Sequence, residues 1–104
     1  MEGDGIGPEI VNSSIDIIKV LKEKLNLNID LIYSEIGLSS LKSHGTTFPD
    51  TVMDVCKKSD AIILGPVDHN NYPSEKDGGI NPSGWLRTNL NLYSNIRPAR
   101  TYPE

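Results

Sequence analysis

Two arginines and one glycine loop are the parts of this sequence equipped for chemistry. Arg87 and Arg97 stand ten positions apart, within Trp85-Leu86-Arg87 and Asn95-Ile96-Arg97-Pro98-Ala99-Arg100. A guanidinium pairs with a carboxylate through two parallel N–H donors, so arginine suits a small molecule bearing several carboxylates. A helix that folds back onto the strand after it brings two such groups together, and an anion between them relieves their repulsion. The plainer alternative is that both are solvated, or paired with some of the chain's 14 Asp and Glu residues. The glycine loop reads Gly3-Asp4-Gly5-Ile6-Gly7-Pro8-Glu9. This is G-x-G-x-G-P, not the G-x-G-x-x-G of dinucleotide folds. It runs into a helix whose free N–H groups can hold an anion. The plainer reading, and the one the pattern alone favours, is a tight turn that aims a helix at a sheet.

Other polar residues carry less. His44 and His69 fall in polar loops, where an isolated histidine is usually solvated. Asp68, His69, Glu75 and Asp77 lie close in sequence, but their spacing follows no metal-ligand pattern, and no metal ligand is assigned. Cys56 sits among apolar helix residues and reads as packing, and Trp85 as a core anchor.

The elements that position these groups follow from periodicity. A helix is predicted from about Pro8 to Lys24. Pro8 suits its first turn, Glu9 faces the positive end of the dipole, and Lys19, Lys22 and Lys24 gather at the other end. Ile10, Val11, Ile15, Ile18, Leu21 and Leu25 form its apolar stripe. Asn28 to Tyr33 alternates as a strand does, with Ile29, Leu31 and Tyr33 on one face. A short helix over Leu38 to Ser43 ends at Gly45. Another opens at Phe48-Pro49-Asp50 with Val52, Met53, Val55 and Cys56 inward. Asp60 to Gly65 is an even apolar run, as in a strand covered on both faces. The polar stretch from Pro66 to Pro82 is long enough to be a binding loop. A helix over Ser83 to Asn91 follows, with Trp85, Leu86 and Leu90 inward, then a strand over Leu92 to Ile96.

Helices alternating with strands indicate an α/β fold, a partial parallel or mixed sheet with flanking helices. A glycine turn feeding a helix normally leaves a strand, and almost no sequence precedes Gly3 to form one. The expectation is therefore an incomplete unit lacking its first strand. With 104 residues, 37% of them hydrophobic, and one Trp and one Phe, the core should rest on Ile, Leu and Val. The net charge of −4, with no basic run, disfavours nucleic acid as a partner. No apolar stretch approaches about 20 residues, so no membrane span is expected. A single cysteine excludes an internal disulfide and fits a reducing compartment.

Three segments together carry a resemblance. Gly3-Asp4-Gly5-Ile6-Gly7-Pro8-Glu9-Ile10 resembles the opening signature of the isocitrate, isopropylmalate, homoisocitrate and tartrate/malate dehydrogenases. Asp60-Ala61-Ile62-Ile63-Leu64-Gly65-Pro66 is similar to the family's next strand and loop. Leu86-Arg87, then Leu92-Tyr93-Ser94-Asn95-Ile96-Arg97-Pro98-Ala99-Arg100, resembles its L-R followed by L-Y-A-N-x-R-P-A-R. The three occur in the family's order over nearly the whole chain.

The resemblance implies a fold of the isopropylmalate dehydrogenase kind rather than a Rossmann fold. It also implies oxidation of a hydroxy di- or tricarboxylate by NAD (or NADP), followed by loss of a carboxylate as carbon dioxide. A divalent Mg²⁺ or Mn²⁺ polarises the reacting oxygen in such enzymes. Under this reading Arg87 and Arg97 grip substrate carboxylates and Ser83 borders the substrate's variable part. Ile6, Gly79 and Asn81 lie against the cofactor. The resemblance further implies a homodimer at full length and a cytoplasmic setting, with a mitochondrial one also open.

The sequence departs from the family at one instructive place. Leucine-pathway members have an apolar residue four positions before the first substrate arginine, whereas isocitrate members have Ser six before and Asn four before. Here Asn81 is six before Arg87 and Ser83 four before, matching neither. The family's third arginine, its acid/base Tyr and Lys and its metal-binding aspartates are expected downstream of Glu104, with two-thirds of a full-length member. Tyr93 and Tyr102 lack the catalytic tyrosine's flanking residues. The chain alone is thus expected to be inactive. The alternatives are a non-catalytic regulatory subunit and an unrelated anion-binding α/β module.

Overall fold

The first element, α1 (Gly7–Leu25), shows how local chemistry sets a boundary. Pro8 occupies its first turn, Glu9 is its acidic N-terminal residue, and Lys22 and Lys24 are in its last turn. It ends where Asn26 turns left-handed at φ 49°. The Asn26 N–H then donates to the Glu23 carbonyl at 3.4 Å and the Leu27 N–H to the Lys22 carbonyl at 3.0 Å, a Schellman closure. The computed structural model describes residues 1–102; Pro103 and Glu104, expected only to follow the last element, lie outside them.

Three more helices follow: α2 (Gly37–His44), α3 (Asp50–Lys58) and α4 (Pro82–Asn89). Two single-turn 3₁₀ segments, His69–Asn71 and Glu75–Asp77, lie in the long polar loop between α3 and α4. No helix among the described residues is long and apolar enough to cross a membrane.

The core forms where α3 and α4 meet the turn before α2. Ile36, Phe48, Val52, Met53, Cys56 and Leu86 make one buried cluster. Phe48, only 1% exposed, is its most enclosed large side chain. As expected, Ile, Leu and Val supply most of the buried hydrophobic residues, and Phe48, Met53 and Cys56 join them in the core. The expectation for Trp85 is corrected. It is 39% exposed, because Leu86, the next residue, is the one that α4 turns inward. On α1 only Val11 and Ile15 of the expected stripe are buried, while Ile10, Leu21 and Leu25 are exposed.

Among the described residues none belongs to a β-ladder. The runs 28–33, 60–65 and 92–96 are irregular, because a strand is defined by hydrogen bonds to a neighbour and these runs lack one along their length. One rung exists. The Met1 ammonium donates to the Ile63 carbonyl at 3.1 Å, and the Gly65 N–H donates to the Met1 carbonyl at 3.0 Å. That pair sets Met1 opposite Leu64 in parallel register. Burial lowers the pKa of the Met1 ammonium, outweighing the nearby Glu2 and Cys56. Burial likewise pushes the Cys56 thiol up.

Candidate functional site

Arg87 owes its position to two caps. At the front of α4, the Asn81 side-chain oxygen accepts from the Ser83 N–H at 3.1 Å and from the Gly84 N–H at 3.4 Å. Pro82 follows in the first turn, so the helix starts without an orphaned donor there. At the back, Asn91 adopts φ 51°. Its N–H donates to the Thr88 carbonyl at 3.2 Å, and the Leu92 N–H donates to the Arg87 carbonyl at 3.1 Å. The backbone of Arg87 thus closes its own helix and directs the segment that carries Arg97.

Between these caps, Leu86 is buried in the core and Arg87 is exposed. Ser83 is half-buried one turn before Arg87, so the two share a helix face. Arg97 lies in the run 91–102, exposed throughout. Among the described residues neither Arg87 nor Arg97 forms an ion pair. The strand expected over 92–96 is the element that would return Arg97 to Arg87, and it is not formed within these residues.

The residues expected at the cofactor are placed differently from one another. Ile6 immediately precedes α1 and is 59% exposed, an apolar ledge at a helix N-terminus. Gly79 is held inward: its N–H donates to the Ser74 carbonyl at 3.0 Å, and a Cβ there would lie 1.8 Å from the Pro73 carbonyl oxygen. Its glycine identity is explained by that close approach. Asn81 spends its side-chain oxygen on capping α4.

The long loop is fastened at both ends by groups to which the motifs had given no role. Near its start, the Asp4 carboxylate accepts from the Asp68 N–H at 3.0 Å, from the Leu38 N–H at 2.7 Å and from the Tyr72 hydroxyl. Burial works to raise the Asp4 pKa, but the hydrogen bonds from Tyr72, Asp68 and Leu38 outweigh it and hold the carboxyl below its ordinary range. Tyr72 is pushed the other way, by burial first and then by its bond to Asp4 and the charges of Asp4 and Asp68. Near its end, fully buried Thr47 accepts from the Ile80 N–H at 2.7 Å, while its own N–H donates to the Gly78 carbonyl at 2.9 Å. Asp4 lay inside the glycine signature, so the signal was present; its partners 34 to 68 residues away were not legible from spacing.

Two clefts lie elsewhere. One, of about 620 Å³, opens between the glycine loop and the segment 33–39. The other, of about 610 Å³, is a trough beside α1 bordered by 28–33 and 58–61. Neither includes Arg87, Arg97 or Ser83. No group of three or more His, Cys, Asp or Glu side chains among the described residues could hold a metal ion.

Comparison with known proteins places the chain. A family model described as isocitrate/isopropylmalate dehydrogenase matches residues 1–104. The chain is 35% identical over 108 residues to a 3-isopropylmalate dehydrogenase of Staphylococcus aureus (strain bovine RF122 / ET3-1), an alignment covering 98% of the chain and 29% of that relative. The same enzyme of strain Mu50 / ATCC 700699 is 36% identical over 104 residues, 94% of the chain and 28% of the relative. That of Lactococcus lactis subsp. lactis (strain IL1403) is 32% identical over 103 residues, 99% of the chain and 30% of the relative. The chain therefore spans 28–30% of the length of these curated relatives. With its glycine loop leading into α1 and its arginine on the exposed face of α4, this chain belongs to the isocitrate/isopropylmalate dehydrogenase family.

Proposed function

We propose that this chain is the N-terminal part of a dehydrogenase that oxidatively decarboxylates a hydroxy di- or tricarboxylate of the 3-isopropylmalate or isocitrate type, with NAD as hydride acceptor. One observation carries the reading: a chain matched over residues 1–104 by the isocitrate/isopropylmalate dehydrogenase family presents Arg87, without an ion pair among the described residues, one turn after Ser83 on the same face of α4.

Arg87 and Arg97 bind the substrate carboxylates, each through paired N–H donors, and so fix the hydroxyl-bearing carbon for reaction. Ser83, one turn from Arg87, faces the variable part of the substrate. A hydroxyl there costs affinity for an isopropyl group and favours a polar one, so this residue tunes substrate choice within the family. The exposed Ile6 fits a nicotinamide cofactor as an apolar ledge, and Gly79 shapes the long loop by its close approach to Pro73. The Asn81 amide nitrogen, which has no partner among the described residues, is the part of that side chain left for the cofactor. A bound nicotinamide cofactor would accept a hydride from the hydroxyl-bearing carbon, and a divalent metal would polarise the oxygen on that carbon. No described residue is assigned to that metal, because no ligand group is present among them.

The α/β sheet belongs to the same proposal. What supports it is the parallel rung between Met1 and Leu64, beside apolar runs that offer Ile32 and Ile63 to solvent at 66% and 37% exposure. A strand leading into the glycine loop would cover them.

The test compares two polypeptides: the 104-residue chain and a chain of the relatives' full length containing it. Each is assayed with NAD, Mg²⁺ and either 3-isopropylmalate or isocitrate. The longer chain should reduce NAD and release carbon dioxide, and the shorter should not. A longer chain that binds the hydroxy acid without turnover would make this a regulatory subunit.

A further inference from the structure

The Asp4 carboxylate joins three separate segments. It stands in the glycine loop, nearly enclosed at 9% exposure. One oxygen accepts the Leu38 N–H at 2.7 Å, in the first turn of α2. The other accepts the Asp68 N–H at 3.0 Å and the Tyr72 hydroxyl, both in the long loop. The Asp4 backbone works in the same direction: its N–H donates to the Pro66 carbonyl at 2.8 Å and its carbonyl accepts from the Gly7 N–H at 2.8 Å. Gly37 leaves the room. It has φ +78°, and a Cβ there would lie 2.3 Å from an Asp4 carboxylate oxygen.

All the side-chain partners are donors, which makes the charged acid specific. A carboxylate has only acceptors, so both oxygens are satisfied at once. An amide of the same shape would turn an NH₂ group either towards the Leu38 N–H or towards the Asp68 N–H and the Tyr72 hydroxyl. Either the Leu38 or the Asp68 N–H must then lose its bond, since a backbone N–H cannot accept, whereas the Tyr72 hydroxyl can. Apart from the bonds to this carboxylate, the one hydrogen bond between the glycine loop and residues 66–72 among the described residues is that from the Asp4 N–H to the Pro66 carbonyl.

We infer that Asp4 is a positioning residue that locks the loop 66–72 to the glycine loop and thereby sets Ile6 for the nicotinamide cofactor. The cofactor part rests on the function proposed above; the lock itself does not. Asp4 touches no reacting atom in this assignment. It acts through Ile6, two residues on, and through the loop that continues to Gly79 and Asn81.

Asp4→Asn and Tyr72→Phe, made in the full-length protein, test this with two readouts. The first is amide hydrogen exchange at Asp68 and Leu38. The second is the Kd for NADH, followed by nucleotide fluorescence, beside the KM of the hydroxy acid. Asp4→Asn should speed exchange at Asp68 or Leu38 at least tenfold and weaken NADH binding about tenfold, with a smaller change in hydroxy-acid KM. Tyr72→Phe, which removes one donor of three, should shift both readouts in the same direction by less. Wild-type NADH affinity in a folded Asp4→Asn protein whose exchange has risen would overturn the positioning role. Unchanged exchange would overturn the lock. Should the wild type bind no NADH, the proposed function falls, and exchange alone then decides for or against the lock.

Discussion

Thr47 and Ile80 hold each other through one hydroxyl: it accepts the Ile80 N–H at 2.7 Å and donates to the Ile80 carbonyl at 2.6 Å. Residues 33 apart are thereby locked beneath the entry to α4. Thr47 itself is wholly enclosed, so its hydroxyl has no access to solvent. Thr47→Val keeps the shape and removes both bonds from the partly buried Ile80 N–H and C=O, which should cost about 1–3 kcal/mol. Thr47→Ser keeps the hydroxyl and should cost less. Urea unfolding of the three proteins checks the order; equal midpoints for Val and Thr would show that the hydroxyl contributes nothing.

Gly79 admits no side chain, since a Cβ would sit 1.8 Å from the Pro73 carbonyl oxygen. Gly79→Ala must push the loop apart or strain it, and destabilisation of about 1–3 kcal/mol is expected. Limited proteolysis should cut the variant faster between Pro66 and Pro82. A cleavage rate equal to wild type would mean that the loop accommodates the methyl group.

At the centre of the core, Phe48→Ala should lower stability by about 3–5 kcal/mol, through lost burial and the cavity left behind. Phe48 is enclosed at 1% exposure by the cluster of Val52, Met53 and Leu86. Trp85→Ala, at a residue 39% exposed, should cost clearly less. Thermal denaturation ranks the two, and a larger loss for Trp85→Ala would contradict the packing described.

Acid should loosen the protein partly through Asp4. Its folded pKa is held below the ordinary value, so the unfolded chain binds its proton first as pH falls. The stabilisation is therefore complete above the ordinary Asp range, about pH 4, and is lost as pH drops through the lower folded value. Asp4→Asn should show a flatter dependence of unfolding free energy on pH below about pH 5. The same slope in both proteins would remove Asp4 as a contributor.

The helices were legible in the sequence because their signals are local. Pro8, Glu9 and the terminal lysines bracket α1, and Gly45 ends α2 where expected. The registers within them were less so. Trp85 and Leu86 are neighbours of similar apolarity, and only the placement of α3 and Phe48 decides which faces inward. The runs 28–33 and 60–65 have the apolar character of strands, but pairing depends on neighbours rather than on composition. The glycine signature and the arginines stood out by type and spacing. Asp4 and Thr47 did not, since their importance comes from partners 31 to 68 residues distant. Loop glycines divide in the same way: Gly79 was assigned to the cofactor by resemblance, whereas its contacts account for it as a packing residue.

Anion capture by Arg97 is best measured as kcat/KM for 3-isopropylmalate in the full-length protein, wild type against Arg97→Ala, with Arg97→Lys as the conservative control. A guanidinium paired with a substrate carboxylate predicts a loss of about 100-fold or more for Ala and partial recovery for Lys. Equal kcat/KM in all three proteins would show that the substrate is bound without this side chain.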